Sequence, residues 1–161
     1  RLIEAADAYE RAARAAPNAA EAHAALGSVR ATLDDNRGAS SAFEAALRID
    51  PRNAAALVGM GNLAVARGRH EEAVELFSRA LDAAPGSVAA LVNRGAALRR
   101  LGRLDASLAD LDRASARAPS MPEAQFQRAA ALRTMARFDE AAVSYRAALA
   151  LAPMRSDIHR E

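Results

Sequence analysis

Prolines stand at positions 17, 51, 85, 119 and 153, each 34 residues after the last. Placing five of a chain's six prolines on one lattice is not a product of chance, so the chain is first of all a repeat of fixed length. Other columns keep the same period. Five residues before each proline stand Ala12, Ala46, Ala80, Ala114 and Ala148; eight before stand Tyr9, Phe43, Phe77, Leu111 and Tyr145. Twelve before stand Ala5, Ala39, Ala73, Ser107 and Ala141, and twenty-four before stand Gly27, Gly61, Gly95 and Ala129.

Inside each unit the apolar spacing is helical, as at Ala73, Leu76, Phe77, Ala80 and Leu81. Midway the pattern breaks, and Gly68 and Gly102 are placed to end one helix in a left-handed conformation. Glu71, Glu72, Asp105, Asp139 and Glu140 then open the next helix where its dipole favours acids. Each unit therefore reads as two helices. The proline closes the second, and Asn53, Ser87, or Ser120 in a capping box with Glu123, starts the following pair, with Pro122 inside the first turn. The glycine column leaves a gap that the aromatic column fills, so Phe43, Phe77 and Tyr145 are expected to be buried between helices. A pair of this size cannot bury its apolar face alone, so neighbours must stack.

These columns resemble the tetratricopeptide repeat, whose pattern runs W-x2-L-G-x2-Y, then A-x3-F, then A and P. The resemblance implies an all-α fold: a right-handed superhelical solenoid of antiparallel helix pairs, of the bacterial type, in one domain over 1–161. Residues 20–53, 54–87, 88–121 and 122–155 read as complete repeats, 1–19 as the second helix of a truncated one, and 156–161 as the start of a further helix. The chain begins at Arg1 in mid-pattern and reads as a piece of something longer. The departures lie in the first helices: the tryptophan column holds His23, Leu57, Leu91 and Gln125, and the leucine column Leu26, Met60, Arg94 and Arg128. Long arginine stems pack while their heads reach water. Pentatricopeptide repeats, which read RNA, have a period one residue longer, and that period would carry the last proline off the lattice.

Composition removes several function classes. The 22 basic residues are all arginine, which excludes lysine Schiff-base and phosphate-loop chemistry. The net charge of +2 gives no support to nucleic-acid binding. There is no cysteine, hence no disulfide and no thiolate metal site, which suits cytoplasm and periplasm equally. No stretch approaches the roughly 18 apolar residues of a membrane span. His23, His70 and His159 lie in different units without ligand spacing, and His23 sits in a packing column. The pairs Glu71 and Glu72, and Asp34 and Asp35, fall at helix boundaries where charge is solvated, and Ser40 and Ser41 lack a base. No catalytic residue, metal site or cofactor is expected.

Function must then come from a surface. In the resembled family the first helix of each pair lines a concave groove that holds an extended peptide or a partner's helix. The groove-facing columns place there Val58 and Asn62, then Val92, Asn93, Ala96, Arg99 and Arg100, then Phe126, Ala130 and Arg133. Arginines gather late, over an apolar floor of Val58, Val92, Ala96, Phe126 and Ala130. Arg99, Arg100 and Arg133 select an acidic or carboxylate-bearing peptide, with Phe126 as its apolar anchor. The competing reading is a solvated helix end, where arginine is also favoured. The family's carboxylate clamp finds its asparagines in Asn62 and Asn93, but its charged positions fall on Val58, Glu123 and Gln127, none basic. The chain thus reads as a non-enzymatic protein-interaction scaffold. The alternative is the recruiting array of a larger glycosyl-, sulfo- or methyltransferase. Leu2, Ala5 and Tyr9 expose an apolar strip that a second copy would cover.

Overall fold

The lattice sets the helices. A computed structural model describes residues 1–151, and among these nine helices and no strand are found: α1 (Leu2–Ala15), α2 (Ala20–Thr32), α3 (Asn36–Ile49), α4 (Ala54–Ala66), α5 (His70–Ala83), α6 (Val88–Arg100), α7 (Leu104–Arg117), α8 (Pro122–Thr134) and α9 (Phe138–Leu151). The helices α2, α4, α6 and α8 start 34 residues apart, and so do α3, α5, α7 and α9. The further helix expected from 156, together with Pro153 and His159, lies outside the described residues.

Each pair is joined by the same turn. The C-terminal carbonyls of α2, α4, α6 and α8 are taken up by two crossed bonds, as in α4, where Gly68 N donates to Val65 O at 2.9 Å and Arg69 N to Ala64 O at 2.9 Å. That geometry needs a left-handed residue, and Gly68 and Gly102 both supply it at φ 73°. Asp34 at φ 60° and Ala136 at φ 58° do the same without being glycine. The next helix starts on the acids expected of it: Glu71 and Glu72 in α5, Asp105 in α7, Asp139 and Glu140 in α9. Asn53 caps α4, its Oδ1 accepting from Ala56 N at 2.9 Å, and Asp35 caps α3 by accepting from Gly38 N. The box expected at Ser120 and Glu123 does not form. Proline's fixed φ makes Pro122 the first helical residue, so the cap falls on Met121, which has no side-chain acceptor, and Glu123 accepts from Gln127 instead.

The chain divides into two compact units, Arg1–Ser87 and Val88–Glu161. In the first, consecutive helices pack on one another from α1 to α5, and α2 also touches α4. Phe43 and Phe77 are buried in its core, against glycines with no room for a side chain: a Cβ on Gly27 would lie 2.6 Å from the Phe43 ring, and one on Gly61 would run into Phe77. Tyr9 and Leu2 of α1 are exposed and Ala5 is half-buried. His23 is half-buried, with Nε2 3.2 Å from the Pro17 carbonyl oxygen.

In the second unit α6, α7, α8 and α9 pack in sequence and α6 touches α8. Leu111 fills the aromatic column and is fully buried; a Cβ on Gly95 would lie 2.7 Å from it. Ser107, in the alanine column, donates to Gly95 O at 2.7 Å, which satisfies a buried hydroxyl. The two arginines of the leucine column are partly exposed and also find acceptors on the second helices. Arg94 grips the buried carboxylate of Asp110 through Nε at 2.6 Å and Nη2 at 2.8 Å; Arg128 donates to Asp112 and to the buried Ser144 Oγ. Tyr145 departs from expectation. It is half-buried, packed against the buried cluster of Leu108, Leu132 and Ala141.

Candidate interaction surfaces

Val58 and Asn62 lie in the first unit, where they line an open cavity of about 400 Å³ with Ser28, Ala31, Thr32 and Ala66. The spacing of Val58, Asn62 and Ala66 on α4 and of Ser28, Ala31 and Thr32 on α2 sets them on facing sides of two touching helices. The floor is the edge of Phe43, reached because Gly59 has no side chain to cover it. Ser28 and Thr32 spend their hydroxyls on their own helix, donating to Ala24 O and Ser28 O, so no charged group lines this cavity.

The second unit holds the remaining residues, and its surface is of another kind. Arg99 and Arg133 are equivalent positions on α6 and α8, two helices in contact, and Arg100 follows Arg99. Among the described residues none of the three forms an ion pair, and the buried Nε of Arg99 has no hydrogen-bond partner. Burial lowers the Arg99 guanidinium from its ordinary range. The charge of Arg100 lowers it further, Tyr145 acts in the opposite sense, and Arg133 again lowers it. Each of these groups is therefore within electrostatic reach of Arg99. Phe126 is half exposed, and its ring meets that of Tyr145 edge-on, centroids 5.6 Å apart at 67°.

Two of the residues expected on the floor are not on a surface. Val92 and Ala130 are buried, although Phe126 in the column of Val92 and Asn62 in that of Ala130 are exposed; Ala96 and Asn93 are half-buried. Tyr145 is the member that periodicity missed. It belongs to a second helix and to a column in which Phe43 and Phe77 are buried and Tyr9 is exposed. At the clamp positions Gln127 Nε2 donates to Glu123 Oε1 at 2.7 Å, while the buried Gln127 Oε1 has no hydrogen-bond partner. Among the described residues no three metal-ligating side chains converge, and no helix is long and apolar enough to cross a membrane.

Known proteins supply the context. Tetratricopeptide-repeat profiles match residues 25–88, 64–136 and 122–153. No curated protein matches the chain. Among solved structures, TTC0263, a thermophilic tetratricopeptide-repeat protein of Thermus thermophilus, is 25% identical with a TM-score of 0.81, over 98% of this chain and 87% of that one. PilW, a type IV pilus biogenesis factor, is 23% identical with a TM-score of 0.83, over 95% and 71%. YrrB, described as having an unusual peptide-binding site, is 21% identical with a TM-score of 0.72, over 96% and 80%. What these likenesses show is the fold, an all-α solenoid of antiparallel helix pairs.

Proposed function

The chain belongs to the tetratricopeptide-repeat family, and from that premise we propose that it is a non-catalytic protein-interaction module whose second unit holds an acidic segment of a partner in extended form. One observation carries this reading: Arg99, Arg100 and Arg133 crowd together with no carboxylate paired to them among the described residues. Three uncompensated guanidinium groups repel, and a partner's carboxylate relieves that repulsion while accepting paired hydrogen bonds. Phe126 offers the apolar contact beside them. The uncharged cavity lined by Val58 and Asn62 has the size for a small apolar side chain, and it supplies no charge preference of its own. Peptide binding in YrrB, which shares this fold, is consistent with such a use of the surface.

The test uses two fluorescein-labelled decapeptides, one rich in glutamate and one with glutamine in its place. The glutamate peptide should bind more tightly, with an affinity that falls as salt rises. Arg99→Glu with Arg133→Glu should weaken it by about tenfold or more while the thermal midpoint stays where it was. Equal binding of both peptides, with no effect of salt, would overturn the reading and return the arginines to solvated helix ends.

A further inference from the structure

Arg30 stands in a column that the other pairs give to hydrocarbon. Its equivalents Ala64, Leu98 and Leu132 are all buried, whereas in α2 the place holds a guanidinium whose side chain is 27% exposed. Arg30 Nη2 reaches α1 and donates to Glu10 Oε2 at 3.2 Å, while Arg14 Nη2 donates to Oε1 of the same carboxylate at 2.6 Å. One carboxylate thus answers two guanidinium groups, and one positive charge is left over. Each guanidinium has further N–H donors, and among the described residues neither arginine has a second protein acceptor. These side chains rim an open cavity of about 260 Å³ between α1, α2 and α3, floored by Ala13, Leu26 and Ala42. One period on, the equivalents of Ala13, His23 and Ala42 are Leu47, Leu57 and Leu76, so hydrocarbon that packs the following pair is missing from this one. The cavity shares no residue with the one between α2 and α4, nor with the arginines of the second unit.

We propose that this cavity is a binding site for a small organic carboxylate, which lays its charged end on Arg30 and Arg14 and its short hydrocarbon stem on Leu26 and Ala42. Charge, geometry and size each select that class. The surplus charge is single, so a monoanion neutralises it. Guanidinium edges pair with a carboxylate through parallel hydrogen bonds, and the Ser41 hydroxyl on the rim is a further donor. The volume is below that of pockets for drug-sized ligands, which suits a stem of a few carbons. Glu10 is the built-in competitor: it holds both arginines in place when the site is empty and occupies donors that the ligand would use. A free acid and a glutamate side chain of a polypeptide carry the same group, and the test separates the two sources.

An NMR titration reads the weak binding expected of so small a ligand, site by site. Butyrate should shift the Arg30 Nε–H and Leu26 methyl signals saturably, and butyramide, its neutral isostere, should not. The glutamate decapeptide is titrated separately: shifts at Arg30 from butyrate alone assign a free acid, and shifts from the decapeptide assign a polypeptide side chain. Arg30→Leu should weaken butyrate by about tenfold or more. Leucine already stands in this column at Leu98 and Leu132, and Glu10 keeps Arg14, so the fold is retained. Glu10→Gln should tighten butyrate by about fivefold, the size of one partly exposed ion pair, an outcome that a purely structural Arg30 would not produce. Arg99→Glu with Arg133→Glu should leave the response unchanged, so this inference and the acidic-segment reading fail separately. Silence of Arg30 and Leu26 towards both carboxylates overturns the inference. So does inorganic phosphate shifting the same signals as strongly as butyrate, which would reduce the site to basic surface.

Discussion

Leu26 with Ala42, and Met60 with Leu76, hold in the first unit the positions that Arg94 with Asp110, and Arg128 with Ser144, hold in the second. The helices around them keep the same lengths and the same turns. One slot between paired helices is thus filled by hydrocarbon in one unit and by guanidinium with its acceptor in the other. The polarity of a column is free to change, provided the column facing it changes too. A lone arginine or a lone aspartate there would leave a buried charge unmatched, whereas the pair satisfies both with two bonds.

The strongest way to break this comparison lies in what the two units share. Phe77→Ala removes a fully buried ring from the first unit and should cost about 3–5 kcal/mol in chemical denaturation. Tyr145→Ala, at the equivalent but half-buried position in the second, should cost markedly less. Equal losses would mean that the half-buried ring holds as much of the core as the fully buried one. Next comes the polar slot itself. Asp110→Ala removes the carboxylate that Arg94 grips and should destabilise by about 3 kcal/mol, while Arg94→Leu combined with Asp110→Leu should restore the parent's stability or exceed it. A double variant as unstable as the single one would show that the hydrocarbon solution is closed to the second unit.

The smallest effects concern the turns, where each unit has one glycine and one substitute. Ala136→Gly should stabilise by about 1 kcal/mol, because a left-handed alanine is strained. Asp34→Gly should gain less, since aspartate tolerates that conformation better. Differential scanning calorimetry resolves both, and no gain at Ala136 would mean the turn's strain is relieved elsewhere.

Much of this was open to inspection in the chain, and the reason differs from place to place. The helix pairs follow from the proline and alanine columns, because packing at a fixed period leaves the same residue at the same place. Gly68 and Gly102 announced their turns, but Asp34 and Ala136 did not: hydrogen bonding around the turn imposes the conformation even on residues that resist it. Arg94 and Arg128 looked like polar intruders with heads in water, since nothing in a column says that Asp110 and Ser144, 16 residues on, face them. On the surface, spacing gave the helical face of Val92 and Ala130 but not their depth, which depends on how closely a neighbour approaches. Tyr145 shares its column with the buried Phe43 and Phe77 and with the exposed Tyr9, so the column does not say how deep its ring lies.

The Arg94–Asp110 pair also bears on how a chain of near-copies finds its own partners. Every second helix in such a chain has several first helices of almost the right shape to dock on, in its own molecule and in its neighbours. Against Leu26 or Met60 the Asp110 carboxylate would meet only hydrocarbon, so α7 recognises α6 by chemistry as well as by outline. The pair then acts as a key that tells α6 from α2 and α4, while Arg128 gives α8 the same charge as α6. Removing it with the double leucine variant is expected to make the copies interchangeable and to let chains exchange helix pairs on refolding at high concentration, seen as dimer in size-exclusion chromatography. A variant that refolds as cleanly as the parent would show that shape alone keeps the copies in order.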